Sequence, residues 1–338
     1  MKENCSYYKN RIKIMPKFSI ITTTYKHEKY ITETIESVLL QSFTDWELLI
    51  WDDSPDDGTW NIIREYVRKY PEKIKAWHHT PNKGIVENMN FLLSQVSSDS
   101  EYIAFLEGDD KYVPDCLEKK LEIFEKYSEV ALVYSDMDFI NSESELTLKS
   151  LLASWGVRIY QDESISPDEY ILSKNPLIVS YSSIAVRKNI LMELLPIQNL
   201  TWSKVYAVSD YDLIFRIIEN HKVYGMRESL TQYRRHASNL SASYGWLFDD
   251  LIVLIESYRD KGKIIDTLYN KKTSWIYILK SLSSLASWER WAAFGSIKKS
   301  FQKNIVFGGI YKIIVCLFLI LPTSWTQKIL QRRIRRGS

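Results

Sequence analysis

The chain is poor in the residues that mark several common protein classes. Its 338 residues hold three cysteines, Cys5, Cys116 and Cys316, far apart and in no C-x-x-C pair. That argues against a disulfide framework or a structural zinc site and fits a reducing compartment. Glycine-rich phosphate signatures are missing: there is neither a G-x-G-x-x-G after an apolar run nor a G-x-x-x-x-G-K-[ST]. A dinucleotide-binding Rossmann fold and a P-loop are therefore disfavoured. Low-complexity tracts and internal repeats are also lacking. The N-terminal "MKENCSYYKNRIKIMPKFSI" is basic but has no long apolar stretch, so no signal peptide is expected and the chain is placed in the cytoplasm.

Charge of one sign is scarce as well. The net charge is +2, and Lys328, Arg332, Arg333, Arg335 and Arg336 crowd into residues 323–338 without an acid. Removing those five leaves −3 for residues 1–322. A body with that balance is no platform for nucleic acid.

What is present is an alternation of two periodicities over the first 140 residues. "KFSIIT", "WELLIW", "IKAWHH", "YIAFL" and "VALVYSD" read as strands. Between them, "ITETIESVLLQ", "GTWNIIREYVRKY" and "GIVENMNFLLSQV" place apolar residues at helical spacing, and Pro114 suits the first turn of a helix carrying Leu117, Leu121 and Phe124. Strand and helix alternating through short links predict an α/β domain around a mostly parallel central sheet flanked by helices. Ligands in such sheets bind at the carboxyl ends of the strands. Those ends read "TTTYKHE", "DDSPDDG" and "EGDD". Acidic strand ends without phosphate-cradling glycines suggest phosphates held through Mg²⁺ or Mn²⁺. Asp109 and Asp110 would then tolerate each other because a divalent ion cancels their repulsion.

"FSIITTTYKHEKYITETIESVLLQSFTDWELLIWDDSPDDGT", "NKGIVENMN" and "YIAFLEGDDKYVPDCLEK", in that order, resemble the family 2 glycosyltransferases, which share the GT-A fold. The resemblance covers roughly residues 17–240. It implies that Thr23 and Tyr25 border the nucleotide base and that Asp53 hydrogen-bonds it, Asp52 being structural. It implies that Asn82 and Gly84 shape the loop beside the nucleotide, that Asp109 contacts the ribose or the metal, and that Asp110 ligates the metal. Many members carry Asp-Ser-Asp-Asp where this chain has Glu107 and Gly108 before its pair, which leaves open which carboxylates touch the ion. "VSDYDLIFRI" resembles the family's E-D-x-x-L-x-x-R segment and makes Asp210 the catalytic base, with Asp212 as competitor; capping of a helix N-terminus is the plainer role for such residues. "YRRHASNLSAS" resembles a segment that brings a histidine, here His236, to the metal or diphosphate. His78, His79 and His221 are assigned structural roles.

The expected chemistry is a single displacement that inverts the anomeric carbon of a nucleotide-sugar, UDP-linked by family habit, with a glycan or lipid-linked hydroxyl as acceptor. A metal-dependent nucleotidyltransferase would want a glycine-rich loop after the first strand, and "TTTYKHE" has none. A non-catalytic nucleotide-sugar or membrane-binding module would lack Asp210 and the acidic pair. The expected organisation is an N-terminal extension (1–16), a catalytic domain (17–244, with a nucleotide-binding half to about 140 and an acceptor-side half from 141) and a C-terminal helical extension (245–338). Within the last, "IVFGGIYKIIVCLFLILP" (305–322) is short for a span. With the basic tail 323–338 behind it, it reads as a segment lying on an anionic membrane surface, which would place the enzyme at the inner face of the cell membrane; an ordinary core helix with a solvated tail and a single span are the alternatives.

Overall fold

In the computed structural model the described residues are 16–161, 164–197, 208–239, 244–286, 290–304, 306, 308, 311–313 and 315–316. The expected N-terminal extension, the larger part of 305–322 and the whole tail 323–338 lie outside them.

The first half builds as its periodicity demands. The order is β1 (Phe18–Thr24), α1 (Ile31–Leu39), β2 (Trp46–Asp52), α2 (Asp57–Lys69), β3 (Ile74–His78), α3 (Ile85–Ser94), β4 (Tyr102–Phe105), β5 (Lys111–Tyr112), α4 (Cys116–Lys126) and β6 (Val130–Ile140). Local signals set the ends of α2. The Asp56 side chain caps it by accepting from the Gly58 amide, and Asp57 at its start and Arg68 and Lys69 at its end complement the helix dipole. The second half continues with β7 (Leu146–Leu148), α5 (Leu151–Ser154), α6 (Pro167–Leu172), β8 (Ile184–Arg187), α7 (Lys188–Glu193), α8 (Ser209–Ile218) and β9 (Lys222–Arg234). Three helices follow: α9 (Tyr244–Asp260), α10 (Asp266–Ala286) and α11 (Arg290–Lys303).

The strands form one sheet in the order β3-β2-β1-β4-β8-β6-β9-β5, with β7 on β6. The β3-β2-β1-β4 half is wholly parallel, as the alternation predicts. The other half is mixed: β8 runs antiparallel to β4 and β6, and β6 runs parallel to β9. The run "PLIVSYSSIAVRK" (176–188), which by its sequence reads as one strand, pairs only over Ile184–Arg187. Before it the serines bond locally: Ser180 Oγ accepts from the Ser182 amide and Ser183 Oγ donates to Ser180 O, which closes a tight turn in place of a ladder.

Both faces of the sheet are covered, because side chains alternate along each strand. Leu48 and Ile50 of β2 join Phe18 and Ile20 of β1 and pack under α1, α2 and α4. Leu49 and Trp51 face the other way and join α3, α8 and α9. The chain leaves β1 toward β2 and β3, then returns to place β4 on the other side of β1. The crevice outside the carboxyl ends of β1 and β4 is therefore the topological switch point where a ligand is expected.

The C-terminal helices do not hang free. Leu254, Ile255 and Tyr258 of α9 share a core with Leu213, Ile214 and Phe215 of α8. Tyr258 stacks on Phe215 at 4.1 Å, and its hydroxyl donates to Asp212 at 2.8 Å. Helices α10 and α11 form a further cluster of Trp275, Ile278, Ala293 and Ile297, and Tyr311 and Val315 dock onto it. The described start of 305–322 therefore packs on protein, and Lys312 in it is buried with its ammonium on the carbonyls of Ser300 and Asn304. Among the described residues no helix is long and apolar enough to cross a membrane.

Tyr258→Phe removes a donor from a buried carboxylate and should cost about 1–3 kcal/mol of stability. Urea unfolding of the variant beside the parent checks this, and an unchanged midpoint would show that Arg216 alone satisfies Asp212.

Candidate active site

The site begins with Gly108. A Cβ there would stand 2.6 Å from Thr24 Cβ and 3.0 Å from His27 Nδ1. Only glycine lets the loop after β4 press this closely against the end of β1. The consequence is a cluster. Asp109 Oδ2 lies 2.9 Å from His236 Nε2 and 3.7 Å from His27 Nε2, and Asn239 Nδ2 donates to the same oxygen at 3.1 Å. One ligand atom from each of His27, Asp109 and His236 lies within 4.8 Å of the others. His236 is further held by a Ser238 hydroxyl at 2.9 Å and by the Tyr30 ring at 4.6 Å.

The protonation states suit a metal. Burial would raise the Asp109 carboxyl, but facing His27 and bonded His236 outweigh it and hold it below its ordinary value. Burial lowers the His27 imidazole, so it stays neutral with a lone pair to offer. One carboxylate and two imidazoles form a donor set for a divalent transition ion more than for Mg²⁺, which prefers oxygen.

Asp110 behaves differently from its neighbour. It is 1% exposed, and both its oxygens are committed: Oδ2 accepts from Ser182 Oγ at 2.6 Å and Oδ1 from the Arg234 amide at 2.9 Å. Burial and the charge of Asp109 push its carboxyl well above the usual range. The resemblance implied Asp110 and His236 at the metal and left open which carboxylates touch the ion. The structure instead turns Asp109 toward the histidines and Asp110 toward the scaffold. Arg234, fully buried, fixes this arrangement, with Nε on Asp109 O at 2.8 Å and a terminal nitrogen on Glu33 at 3.1 Å. Lys111, Ser144 and Arg234 together hold Glu33 at about 2 against the upward push of burial.

The nucleotide-side candidates gather next to this cluster. Asp53 accepts from the amides of Lys83 at 3.0 Å and Gly84 at 3.2 Å, and from Asn88 Nδ2 at 2.9 Å. Gly84 takes φ +89° at the start of α3, where a side chain would be strained. Asn82, on the same loop, is exposed. Tyr25 is 43% exposed at the rim, and Thr23 is buried with its hydroxyl on Glu107 at 3.2 Å. Asp52 is fully buried on Ser54 and His78, a scaffold role.

Glu107 joins the two halves of the site. Burial and the nearby charges of Asp109 and Asp210 push its carboxyl up to about 8. Asp210 opens α8, and burial pushes it up to about 6. Among the described residues its carboxylate accepts only from backbone amides of its own turn, including Tyr211 at 2.7 Å. Its competitor Asp212 is 3% exposed and occupied by Tyr258 and Arg216. His27, Arg234 and Ser182 went unassigned in the sequence reading. His27 had a signal there, its place in the "TTTYKHE" that follows β1, and Arg234 had one in the arginine pair before His236.

Comparison with known proteins shows the family and the fold. Residues 19–191, just over half of the chain, match the family model described as glycosyl transferase family 2. EpsE of Bacillus subtilis is 28% identical over 260 residues, which cover 76% of this chain and 87% of EpsE. The Escherichia coli UDP-Glc:alpha-D-GlcNAc-diphosphoundecaprenol beta-1,3-glucosyltransferase WfgD is 30% identical over 148 residues, covering 41% of this chain and 56% of WfgD. The crystal structure of S. aureus TarS 1–349 in complex with UDP-GlcNAc shares the fold at a TM-score of 0.60 and 14% identity, covering 95% of this chain and 92% of that one.

Asp109→Asn should weaken Mn²⁺ binding at least by the roughly 10–100-fold that outer-sphere partners are worth. Asp110→Asn should weaken it far less and show its loss in thermal stability instead. Calorimetric titration of both variants with Mn²⁺ decides, and the reverse order would move the ligand to Asp110.

Proposed function

For a chain that belongs to glycosyl transferase family 2, and so is a glycosyltransferase, we propose an inverting transfer from a UDP-sugar to a hydroxyl of a lipid-linked or cell-surface glycan. The observation that carries this reading is the opposition of two unlike ends of one site. One end holds the His27–Asp109–His236 cluster, the other holds Asp210, which among the described residues accepts from backbone amides alone, and Glu107 senses both charges.

In this reading Asp109, His27 and His236 hold a divalent ion, which when bound neutralises charge on the departing diphosphate. Asp53, with the Lys83–Gly84 loop and Asn82, walls the base, and Tyr25 offers it a ring face. Glu107 stays protonated through neutral pH and donates to a donor hydroxyl without repelling the phosphates. Asp210 takes the proton of the attacking acceptor hydroxyl, a contribution of roughly 10²–10⁴-fold. One attack from the face opposite the leaving group inverts the anomeric carbon, so no second carboxylate nucleophile is required. A UDP-sugar and a lipid-linked acceptor are supported by the name of WfgD, and a UDP-sugar by the ligand of TarS.

The acceptor chemistry and the apolar, basic C-terminal sequence support work at the inner face of the cell membrane. Deletion of residues 303–338 should therefore reduce flotation with anionic liposomes while donor hydrolysis persists, since every assigned site residue precedes 303. Unchanged flotation of the truncated chain would remove that segment from the membrane contact.

A panel of sugar nucleotides, scored for slow hydrolysis with Mn²⁺, tests the donor without needing the acceptor. Turnover should vanish with EDTA and return better with Mn²⁺ or Co²⁺ than with Mg²⁺. Asp210→Asn should lower turnover by at least about 10²-fold with UDP affinity near normal, whereas Asp212→Asn should lose stability. Burial raises Asp210, and a base works only when ionised, so kcat should fall as pH drops through about 6. A flat acid limb in the parent, or normal turnover in Asp210→Asn, would exclude this base.

A further inference from the structure

Helix α11 has two unlike faces. Ala293, Ser296, Ile297 and Ser300 are buried. Their small side chains bring α11 close enough to α10 for Ser281 Oγ to donate to Ala293 O at 2.7 Å and for Ser274 to bond Ser300 at 3.0 Å. The opposite face carries Trp291 at 87% exposure, Phe294 at 51% and Phe301 at 38%, with Lys298 and Lys299 exposed among them. Positions 291, 294, 298 and 301 follow the three-four-three spacing of one helical stripe. Trp291 and Phe294 meet edge to face at 6.5 Å. Beyond the helix, Val306 is 84% exposed and Ile313 59%.

An exposed tryptophan and two phenylalanines on one stripe are costly to leave facing bulk water. The charge pattern identifies what covers them. From Arg290 to Ser338 the chain has ten lysines and arginines and no acid. A second copy of this surface, or any basic partner, would repel it. An anionic, apolar-backed surface fits both the ring stripe and the charge, and Trp and Phe with interspersed Lys are the composition of helices that lie in the headgroup layer.

We infer that the outer face of α11 is itself a membrane-docking surface for anionic lipid, with Trp291, Phe294 and Phe301 inserted at the headgroup level and Lys298 and Lys299 among the phosphates. This deepens the membrane-face reading above, which assigned the contact to residues 305–322, and rests on it for the kind of surface met. It sets an orientation as well. Through α10 and α9 the docked helix connects to α8, so the Asp210 end of the site is held at a fixed height above the bilayer.

The test uses full-length protein and vesicles of phosphatidylglycerol and phosphatidylcholine, against vesicles of phosphatidylcholine alone. Trp291→Ser with Phe294→Ser should lower partition into the anionic vesicles by at least about tenfold, with donor hydrolysis in vesicle-free buffer and thermal midpoint unchanged. Lys298→Gln with Lys299→Gln should lower partition less and flatten its salt dependence. Partition of the serine variant equal to that of the parent overturns the inference even if the 303–338 deletion abolishes flotation. Parent protein that ignores anionic vesicles overturns this and the membrane reading together. A parent dimer in solution that the serine variant abolishes, without anionic binding, assigns the face to self-association and also overturns it. Loss of donor hydrolysis in parent protein would count against the catalytic reading alone.

Discussion

The rest of the site depends on how two adjacent carboxylates avoid each other. Asp109 and Asp110 share a peptide bond and are both buried, so charging both would be prohibitive without a nearby cation. The fold answers by giving them opposite surroundings. Two histidines face Asp109 and hold it ionised, while Ser182 and the Arg234 amide receive Asp110, whose proton affinity rises with burial. Such a pair titrates as a unit, one step pushed down and the other up. The carboxyl bound to the scaffold and the carboxylate facing the histidines are thus one device. Asp110 ties the loop after β4 to the serine turn before β8 and to the end of β9, and that tie aims Asp109 at His27 and His236.

Arg234 is the counterpart of that pair. A guanidinium with no exposure must find acceptors for its donors, and this one reaches Asp109 O, Asn141 O, Ser144 Oγ and Glu33 while lying over the Tyr30 ring. Its planar fork suits several simultaneous partners in a way a lysine would not. Because β9 carries Arg234 two residues before His236, fixing the arginine also fixes the histidine. The sequence reading noticed the arginines before His236 but had no way to know that one of them turns inward.

Periodicity revealed the parallel half of the sheet, and the end of each strand marked the chemistry, because those signals are local. Where the reading fell short, the deciding contact is long-range. His27 and Asp109 are 82 residues apart in sequence and meet only because Gly108 lets two strand ends touch. Ser182 lies 72 residues from Asp110, in a serine-rich run that resembled strand. Asp109 and Asp110 lie in the turn between β4 and β5, which sends their side chains to different surroundings, and no spacing rule says which one meets the histidines. The resemblance favoured Asp210 over Asp212, but what engages Asp212 was hidden, since it is Tyr258, 46 residues away.

That last contact shows how the C-terminal helices bear on the placement of Asp210, the base of the proposed mechanism. Asp210 and Asp212 stand on the first turn of one helix, two residues apart, and point to different sides of it. Tyr258 and Arg216 occupy Asp212 on the side buried under α9. On the other side of the same turn Tyr211 packs against Tyr170, while buried Lys272 of α10, lowered to about 8 by its burial, reaches Ser173 O and lies 5.6 Å from the Tyr211 ring. Helix α8 is therefore clamped by α9 and α10 at the turn that presents Asp210. A general base needs its carboxylate placed to a fraction of an ångström, and a helix end left to solvent would not provide that. The same clamp holds α8 without calling on Asp210, whose carboxylate, among the described residues, accepts from backbone amides of its own turn. The helix is held by its neighbours, which leaves the carboxylate in the site available to an incoming hydroxyl.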